Sequence, residues 1–291
     1  MGDLNSSVTR VWPILVELMC RQREPVESLR LILKLAFRNS GNELSEQLCD
    51  SSQPILSKLL EKPASVRSLY ELEVSLPACF EYSLPPSERF LLWLIERVGE
   101  ECKPRKGLRQ EQLIAGRRAD LFGDDATLRQ EAQREAIRSL MLHGPRASRN
   151  QWWALEGFTS VDCYLETSDM VLLIEGKRTE SVSLGTDWCA TRNQIARNLE
   201  AARNAAQGRR YAVLLLGEQQ TPVGREEIVA GLPHMTELES SFLSQHYLGC
   251  VTWQQVCKAS GLTIDLNREL ADVRMAEKWL RNRGYMAKLG E

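Results

Sequence analysis

The spacing of apolar residues changes about halfway along the chain. In the first part, apolar side chains recur every three to four residues over 11–19 and again over 29–36, as on one face of a helix. This spacing predicts that residues 8–100 are mostly helical. Within that region the pattern also predicts a shorter helix over 53–61 and an extended stretch over 70–77.

Local signals predict where the next helices begin and end. Ser87 has the side chain of an N-cap and precedes an apolar helical pattern. Residues 101–126 are polar and rich in Arg, Gly and Asp, which predicts a connection. Thr127 is then expected to cap a helix over 128–142 that ends at Gly144. The residues expected to face inward on this helix are Leu128, Ala132, Ala136, Leu140 and Met141.

The second half of the chain predicts alternating strands and helices. Residues 170–174 and 211–216 are uninterrupted apolar runs, which fit strands buried on both faces. An alanine-rich helical pattern over 188–206 separates them. Further elements are expected as strands over 152–159, 161–166 and 248–253 and as a closing helix over 268–282. Together these elements indicate a mixed α/β fold.

Composition excludes several classes of protein. Of 291 residues 43% are hydrophobic and 26% are charged, with a net charge of −2, which excludes a mainly disordered chain. The sequence shows no apolar run of about 18–20 residues and no secretion signal, so we expect a cytoplasmic protein without a membrane partner. Eight cysteines without a Cys-x-x-Cys pair, and only three histidines, argue against a structural zinc site.

The charge is distributed unevenly. Residues 103–210 carry 18 Lys and Arg against 14 Asp and Glu, and this is the only basic part of the chain. Within it, residues 151–176 hold five acids and no Lys or Arg. An acidic island between basic flanks suits a metal-binding pocket edged by cations that contact phosphate. Ordinary solvated helix faces are the alternative interpretation.

Side chains capable of chemistry cluster around the most apolar predicted strand. The run 170–174 leads directly into Glu175, Gly176 and Lys177. Because side chains alternate along a strand, Glu175 and Lys177 project to one face, about 6–7 Å apart. A hairpin would bring Asp162, at the start of the preceding predicted strand, alongside Glu175. Two neighbouring carboxylates repel each other, and a hard cation such as Mg²⁺ or Mn²⁺ would remove that repulsion.

These residues resemble the PD-(D/E)XK phosphodiesterase superfamily, which has the restriction-endonuclease-like fold. The likeness rests on Asp162, on Glu175-Gly176-Lys177 after an apolar strand, and on the surrounding order of helix, three strands, helix and strand; it covers about residues 127–217. The resemblance implies that Asp162, Glu175 and the backbone carbonyl of Gly176 bind Mg²⁺. It also implies that Lys177 is catalytic. The proline that normally precedes the aspartate is Val161 here.

The resemblance further implies site residues on the two flanking helices. Such folds often place a glutamate on the helix before the strands, and of Glu131 and Glu135 we favour Glu135 as a metal ligand. Many members place a glutamine on the helix after the motif, which makes Gln194 a further catalytic candidate. Arg197 is a candidate phosphate contact. Glu156 is a further candidate ligand, although a glutamate on a strand face is usually solvated.

The sequence therefore predicts a restriction-endonuclease-like α/β domain, a mixed sheet flanked by helices, over residues 103–291. A mainly helical N-terminal domain or extension over residues 1–102 precedes it. The expected activity is metal-dependent hydrolysis of phosphodiester bonds, with DNA favoured over RNA and Mg²⁺ or Mn²⁺ as cofactor. Endonuclease and exonuclease action, and the oligomeric state, stay open.

A second hypothesis belongs to another functional class. The domain would be a catalytically inactive nuclease-fold module that binds nucleic acid or a partner protein. The near-neutral net charge favours this hypothesis, because strong nucleic-acid binders are usually more basic. In a third variant, the nuclease acts within a complex and the N-terminal helical region docks the protein partner.

Overall fold

A computed structural model describes residues 6–18, 25–42, 44, 82–98, 102, 116–148, 151–166 and 170–285. Its helices are α1 (Trp12–Val16), α2 (Pro25–Ser40), α3 (Glu88–Glu96), α4 (Arg118–Phe122), α5 (Ala126–His143), α6 (Gln194–Ala206), α7 (Arg225–Ala230), α8 (Glu237–Ser244), α9 (Trp253–Ser260) and α10 (Val273–Asn282). Its strands are β1 (Tyr82–Leu84), β2 (Thr159–Val161), β3 (Cys163–Glu166), β4 (Met170–Gly176), β5 (Arg210–Gly217) and β6 (Tyr247–Thr252). The elements predicted over 53–61 and 70–77 lie outside the described residues. None of the described helices has the length and apolarity that a membrane crossing requires.

Strands β3 to β6 form one mixed sheet, and β1 and β2 form a separate two-stranded sheet. β3 runs antiparallel to β4, whereas β4, β5 and β6 are parallel neighbours. Every residue of β4 is buried, as is every residue of β5 after Arg210. Apolar runs buried on both faces are typical of central strands in α/β proteins. The predicted strands over 170–174 and 211–216 are therefore confirmed, and the described chain is a mixed α/β protein.

The two faces of the sheet pack against different helices. Leu172 and Ile174 face one core, which they share with residues of α1, α2, α9 and α10. Val171 and Leu173 face the other core, which they share with the apolar side of α6. Because side chains alternate along a strand, Glu175 projects from the face that α6 covers.

The described N-terminal helices pack on the sheet. Apolar side chains of α1 and α2 belong to the same core cluster as those of β4 and β5. At the end of α2, Asn39 Nδ2 donates to the carbonyl of Cys250 at 3.0 Å, and Asn42 Nδ2 donates to the carbonyl of Tyr247 at 2.7 Å. These amides attach α2 to the outer strand β6. A domain boundary between residues 102 and 103 stays a prediction.

The predicted ends of two helices are confirmed. The Ser87 side chain accepts a hydrogen bond from the backbone N–H of Phe90 and so caps α3. Gly144, with a φ of 70°, ends α5 in a conformation that favours glycine.

The start of α5 and part of its predicted buried face are corrected. Asp125 caps this helix rather than Thr127, since its carboxylate accepts from the backbone N–H groups of Thr127 and Leu128 at 2.8 and 3.1 Å. Leu128 and Met141, expected to face inward, are 46% and 63% exposed. The polar connection predicted over 101–126 also contains a helix, α4.

The strand predicted over residues 152–159 is wrong. Residues 151–158 form turns and irregular backbone, and β2 begins only at Thr159. Trp153 is buried beside α5, where its Nε1 donates to Ser139 Oγ at 3.0 Å. Aromatic residues are enriched in strands, so the aromatic residues of this buried loop led to the prediction of a strand.

Candidate active site

A β-hairpin brings the two predicted carboxylates to one end of the sheet. The register of β3 and β4 pairs Cys163 with Ile174, so Asp162 and Glu175 are the next residues outward on the two strands. The backbone N–H of Gly176 donates to Asp162 Oδ2 at 2.7 Å. This hydrogen bond fixes the Asp162 carboxylate against the end of β4. The predicted hairpin is confirmed.

Lys177 folds back onto Glu175 at the end of the same strand. Its Nζ lies 2.8 Å from Glu175 Oε1, with the two side chains 16% and 3% exposed. Both the backbone N–H and the backbone carbonyl of Lys177 form hydrogen bonds. The N–H of Lys177 donates to the carbonyl of Leu216 at 2.8 Å, and the Lys177 carbonyl accepts from Trp253 Nε1 at 2.9 Å.

The first turns of α6 supply two amide side chains to the same carboxylate. Gln194 Nε2 donates to Glu175 Oε1 at 2.6 Å, and Asn198 Nδ2 donates to Glu175 Oε2 at 3.1 Å. Residues four apart share one face of a helix, so both amides reach the strand end together. The Asn193 side chain caps α6 by accepting from Ala196 N–H, which fixes where this face begins.

Asn198 is the member of the pocket that the sequence interpretation missed. It is fully buried, and its Oδ1 accepts from Thr159 Oγ1 at 3.1 Å while its Nδ2 binds Glu175. The available signal was its position four residues after Gln194. The structure thus brings together Asp162, Glu175, Lys177, Gln194 and the backbone of Gly176, as the sequence predicted, and adds Asn198.

Burial and a neighbouring charge perturb the titration of Glu175. Burial, followed by the charge of Asp162, raises the pKa of Glu175 from 4.5 to about 7, against the opposing effects of Lys177 and Asn198. For Lys177, burial alone would lower the pKa, but the charge and hydrogen bond of Glu175 raise it above 10.5. Near neutral pH the pocket therefore holds a protonated lysine beside a carboxyl close to its titration midpoint.

Oxygen atoms of the pocket could serve as a small number of protein ligands to a hard divalent cation. The described residues contain no group of three or more His, Cys, Asp and Glu side chains that could enclose a metal ion. Two carboxylates and a backbone carbonyl form an all-oxygen set of the type that binds Mg²⁺ with several retained waters. A cation between Asp162 and Glu175 would also offset the repulsion that raises the pKa of Glu175.

Close packing at Gly176 leaves no space for a side chain. A Cβ atom here would overlap the Val11 side chain, and it would lie 3.2 Å from the Trp253 ring and 3.4 Å from Asp162 Oδ2. The π-helical turn Ser7–Val11, which leads into α1, therefore packs directly behind the strand end that carries the site.

A buried ionic cluster supports the start of α6. Arg192 donates from Nε and Nη2 to both carboxylate oxygens of Glu156, at 3.0 and 3.1 Å, and its Nη1 lies 2.5 Å from Glu200 Oε2. All three side chains are at most 2% exposed. Although burial alone would raise the pKa of Glu200, Arg192 and then His234 lower it to about 2. Glu156, a candidate ligand from the sequence, is thus one side of a bidentate ion pair.

Two further candidates form their described contacts with residues other than the pocket carboxylates. Glu135 projects from α5 with 51% of its side chain exposed, and its carboxylate pairs with Arg117 at 2.5 Å. The structure therefore does not bring Glu135 to Asp162 and Glu175. Its neighbour Ala136 faces the core instead. Arg197 lies 3.7 Å from Glu156 and donates to the Phe158 carbonyl at 3.4 Å, at the edge of the ionic cluster.

Comparisons of the chain with protein-family models, with curated proteins and with solved structures yield no match.

Proposed function

We propose that this chain is a metal-dependent nuclease that hydrolyses phosphodiester bonds in DNA. One observation carries the proposal: two carboxylates, a lysine and a glutamine from separate parts of the sequence meet at the end of one buried strand. The distances are 2.8 Å between Lys177 and Glu175 and 2.6 Å between Gln194 and Glu175. A buried carboxyl whose pKa is raised by burial and by a neighbouring carboxylate is one mark of a functional site.

The surrounding elements support a restriction-endonuclease-like core. Helix α5, strands β2 to β4, helix α6 and strand β5 follow one another along the chain in the order that the resemblance to PD-(D/E)XK nucleases implies. Of the three consecutive strands, β3 and β4 belong to the four-stranded sheet, whereas β2 pairs with β1. The motif lies at the end of β4, a central strand with neighbours on both sides. The order of these elements along the chain and the position of the motif therefore both favour a restriction-endonuclease-like fold.

The proposal assigns a role to each side chain. Asp162, Glu175 and the Gly176 carbonyl would hold Mg²⁺ or Mn²⁺, which supplies a Lewis acid for the phosphate and lowers the pKa of bound water. Lys177, protonated beside Glu175, positions the attacking water and offsets the negative charge that develops on the phosphate. Gln194 and Asn198 orient the Glu175 carboxylate through one hydrogen bond to each oxygen.

Cleavage of plasmid and linear DNA in Mg²⁺ or Mn²⁺ tests the proposal. Wild type should cut, and Lys177→Ala should lose most of the cutting. Lys258→Ala is the matched control, because Lys258 is an exposed lysine on α9. Equal cleavage by wild type and Lys177→Ala would remove Lys177 from the mechanism, and absence of metal-dependent cleavage by wild type would overturn the proposal.

The second candidate function is binding without turnover. The net charge of −2 favours it, because it gives the whole chain little general attraction for phosphate. Salt-dependent DNA binding with no cleavage in any divalent metal would support this function over the nuclease. Binding of a partner protein through the N-terminal region stays a prediction, and the described helices α1 and α2 already bury apolar faces on the sheet.

A further inference from the structure

An open cleft of about 790 Å³ lies along α6, beyond the candidate active site. Its walls come from the start of α3, the end of α5, strand β3 and the C-terminal half of α6. Four arginines line it, and we call it the arginine cleft after them: Arg89, Arg146, Arg203 and Arg209. His143 also lines the cleft, and Glu88 is the one acid among its lining residues.

Two of the four arginines have internal partners. Arg89 forms a bidentate pair with Glu239 at 2.7 and 2.9 Å. Arg209 donates to the carbonyls of Ala206 and Ala205 at the end of α6, at 2.8 and 2.9 Å.

The other two arginines keep a local positive charge. Within the described part of the chain, Arg146 and Arg203 form no ion pair with a carboxylate. Arg146 is exposed and Arg203 is half-buried. An arginine side chain stays protonated at any physiological pH, so the arginine cleft attracts anions.

One face of α6 connects the arginine cleft to the candidate active site. Gln194, Asn198, Ala201 and Ala205 are separated by four, three and four residues, so they form a single stripe along the helix. The first two bind Glu175, and the last two line the cleft. Arg203 lies five residues after Asn198, about 7.5 Å farther along the helix axis and about 140° around it, so it lies off this stripe, on another side of α6.

The sheet also connects the arginine cleft to the candidate active site. Tyr164 lines the arginine cleft and pairs with Leu173 of β4, two residues before Glu175. The cleft and the carboxylates therefore share both a helix and a hairpin.

We propose that the arginine cleft binds the phosphodiester backbone of the nucleic-acid strand whose cleaved phosphate lies at Asp162 and Glu175. The inference rests on the proposed nuclease function and adds where the substrate runs. The guanidinium fork matches phosphate oxygens in two hydrogen bonds.

Fluorescence anisotropy with short labelled DNA, single-stranded and double-stranded, tests whether the arginine cleft binds the phosphodiester backbone. The measurement is made in EDTA, where metal-dependent cleavage does not occur. The cleft variant is Arg146→Gln with Arg203→Gln. The matched control is Arg268→Gln with Arg274→Gln, which removes two exposed arginines elsewhere. Each lost phosphate contact should reduce the slope of log K against log salt by about 1, so the cleft variant should lose about 2 in slope. At about 50 mM salt, the cleft variant should bind DNA at least about ten-fold more weakly than wild type does.

The outcomes separate this inference from the proposed function. Wild-type slope and affinity in the cleft variant would overturn the inference even if the protein cleaves DNA. No DNA binding by wild type would overturn it as well. A reduced slope in the cleft variant alone, with unchanged thermal unfolding, supports binding of the nucleic-acid backbone by the arginine cleft. If wild type binds DNA in this way but never cleaves it, the nuclease proposal fails and only the binding role of the cleft stands.

Discussion

The carboxyl group of Glu175 links the geometry of the pocket to a measurable free energy. Its pKa in the folded protein is about 7, against an ordinary value of 4.5. Between these pH values the folded state binds more protons than the unfolded state, so the unfolding free energy falls as the pH rises. The stabilisation is fully present below the unfolded pKa and is lost as the pH passes the folded pKa. From about pH 5 to about pH 8 the loss is about 2–3 kcal/mol, at 1.36 kcal/mol per pKa unit.

Urea unfolding of wild type and Glu175→Gln across this pH range, in EDTA, measures that loss. Glutamine cannot ionise, so the unfolding free energies of the two proteins should diverge by about 2–3 kcal/mol between about pH 5 and pH 8. Lys177, with its pKa raised above 10.5, stays charged throughout. Glu277→Gln, at a carboxylate 36% exposed on α10, is the matched control and should keep the wild-type profile.

Parallel pH profiles for wild type and Glu175→Gln would refute the reasoning, because they would mean that Glu175 titrates alike in the folded and unfolded chains. Saturating Mg²⁺ should reduce the pH dependence of wild type, since a bound cation favours the ionised carboxylate. It should leave Glu175→Gln unchanged.

Three other substitutions test separate parts of the structure. Asn198→Ala removes a hydrogen bond that lowers the pKa of Glu175, so the midpoint of the pH profile should rise. Urea unfolding should show a loss of about 1–3 kcal/mol in unfolding free energy. An unshifted midpoint would contradict the hydrogen bond between Asn198 and Glu175. Glu156→Gln removes one of the two carboxylates that pair with buried Arg192, and it should cost about 1–3 kcal/mol in urea unfolding because Glu200 still compensates the arginine. Glu277→Gln, in an exposed pair, should cost about 0.5 kcal/mol or less. Gly176→Ala should lower the unfolding free energy by about 1–3 kcal/mol, because the added Cβ overlaps the Val11 side chain. Adding Val11→Ala should restore part of this loss. If it restores nothing, the overlap with Val11 is not the cause of the destabilisation.

Local patterns predicted the centre of the sheet and most of the pocket. The apolar runs of β4 and β5 are buried on both faces, and their length and composition suffice to identify them. Alternation along β4 then placed Glu175 and Lys177 on one face, and the hairpin register placed Asp162 beside them. Gln194 was expected from the resemblance and lies within hydrogen-bond distance of Glu175.

Features that depend on tertiary packing were missed. The sequence gives no sign that Val11 packs against Gly176, because that contact joins segments far apart in the chain. Glu135 was chosen by its place on a helix, but the buried face of α5 is formed by Ala132, Ala136 and Leu140, which turns Glu135 toward Arg117. Asn198 was overlooked because an asparagine inside a helix is usually solvated, whereas here two buried polar groups satisfy it.

A crystal soaked in Mn²⁺ tests the central claim most directly, because anomalous scattering locates the ion without any assumption about activity. The account predicts a peak between the carboxylates of Asp162 and Glu175, adjacent to the Gly176 carbonyl, which disappears in Asp162→Asn. A soaked crystal with no peak there, or a peak that persists unchanged in Asp162→Asn, would contradict it.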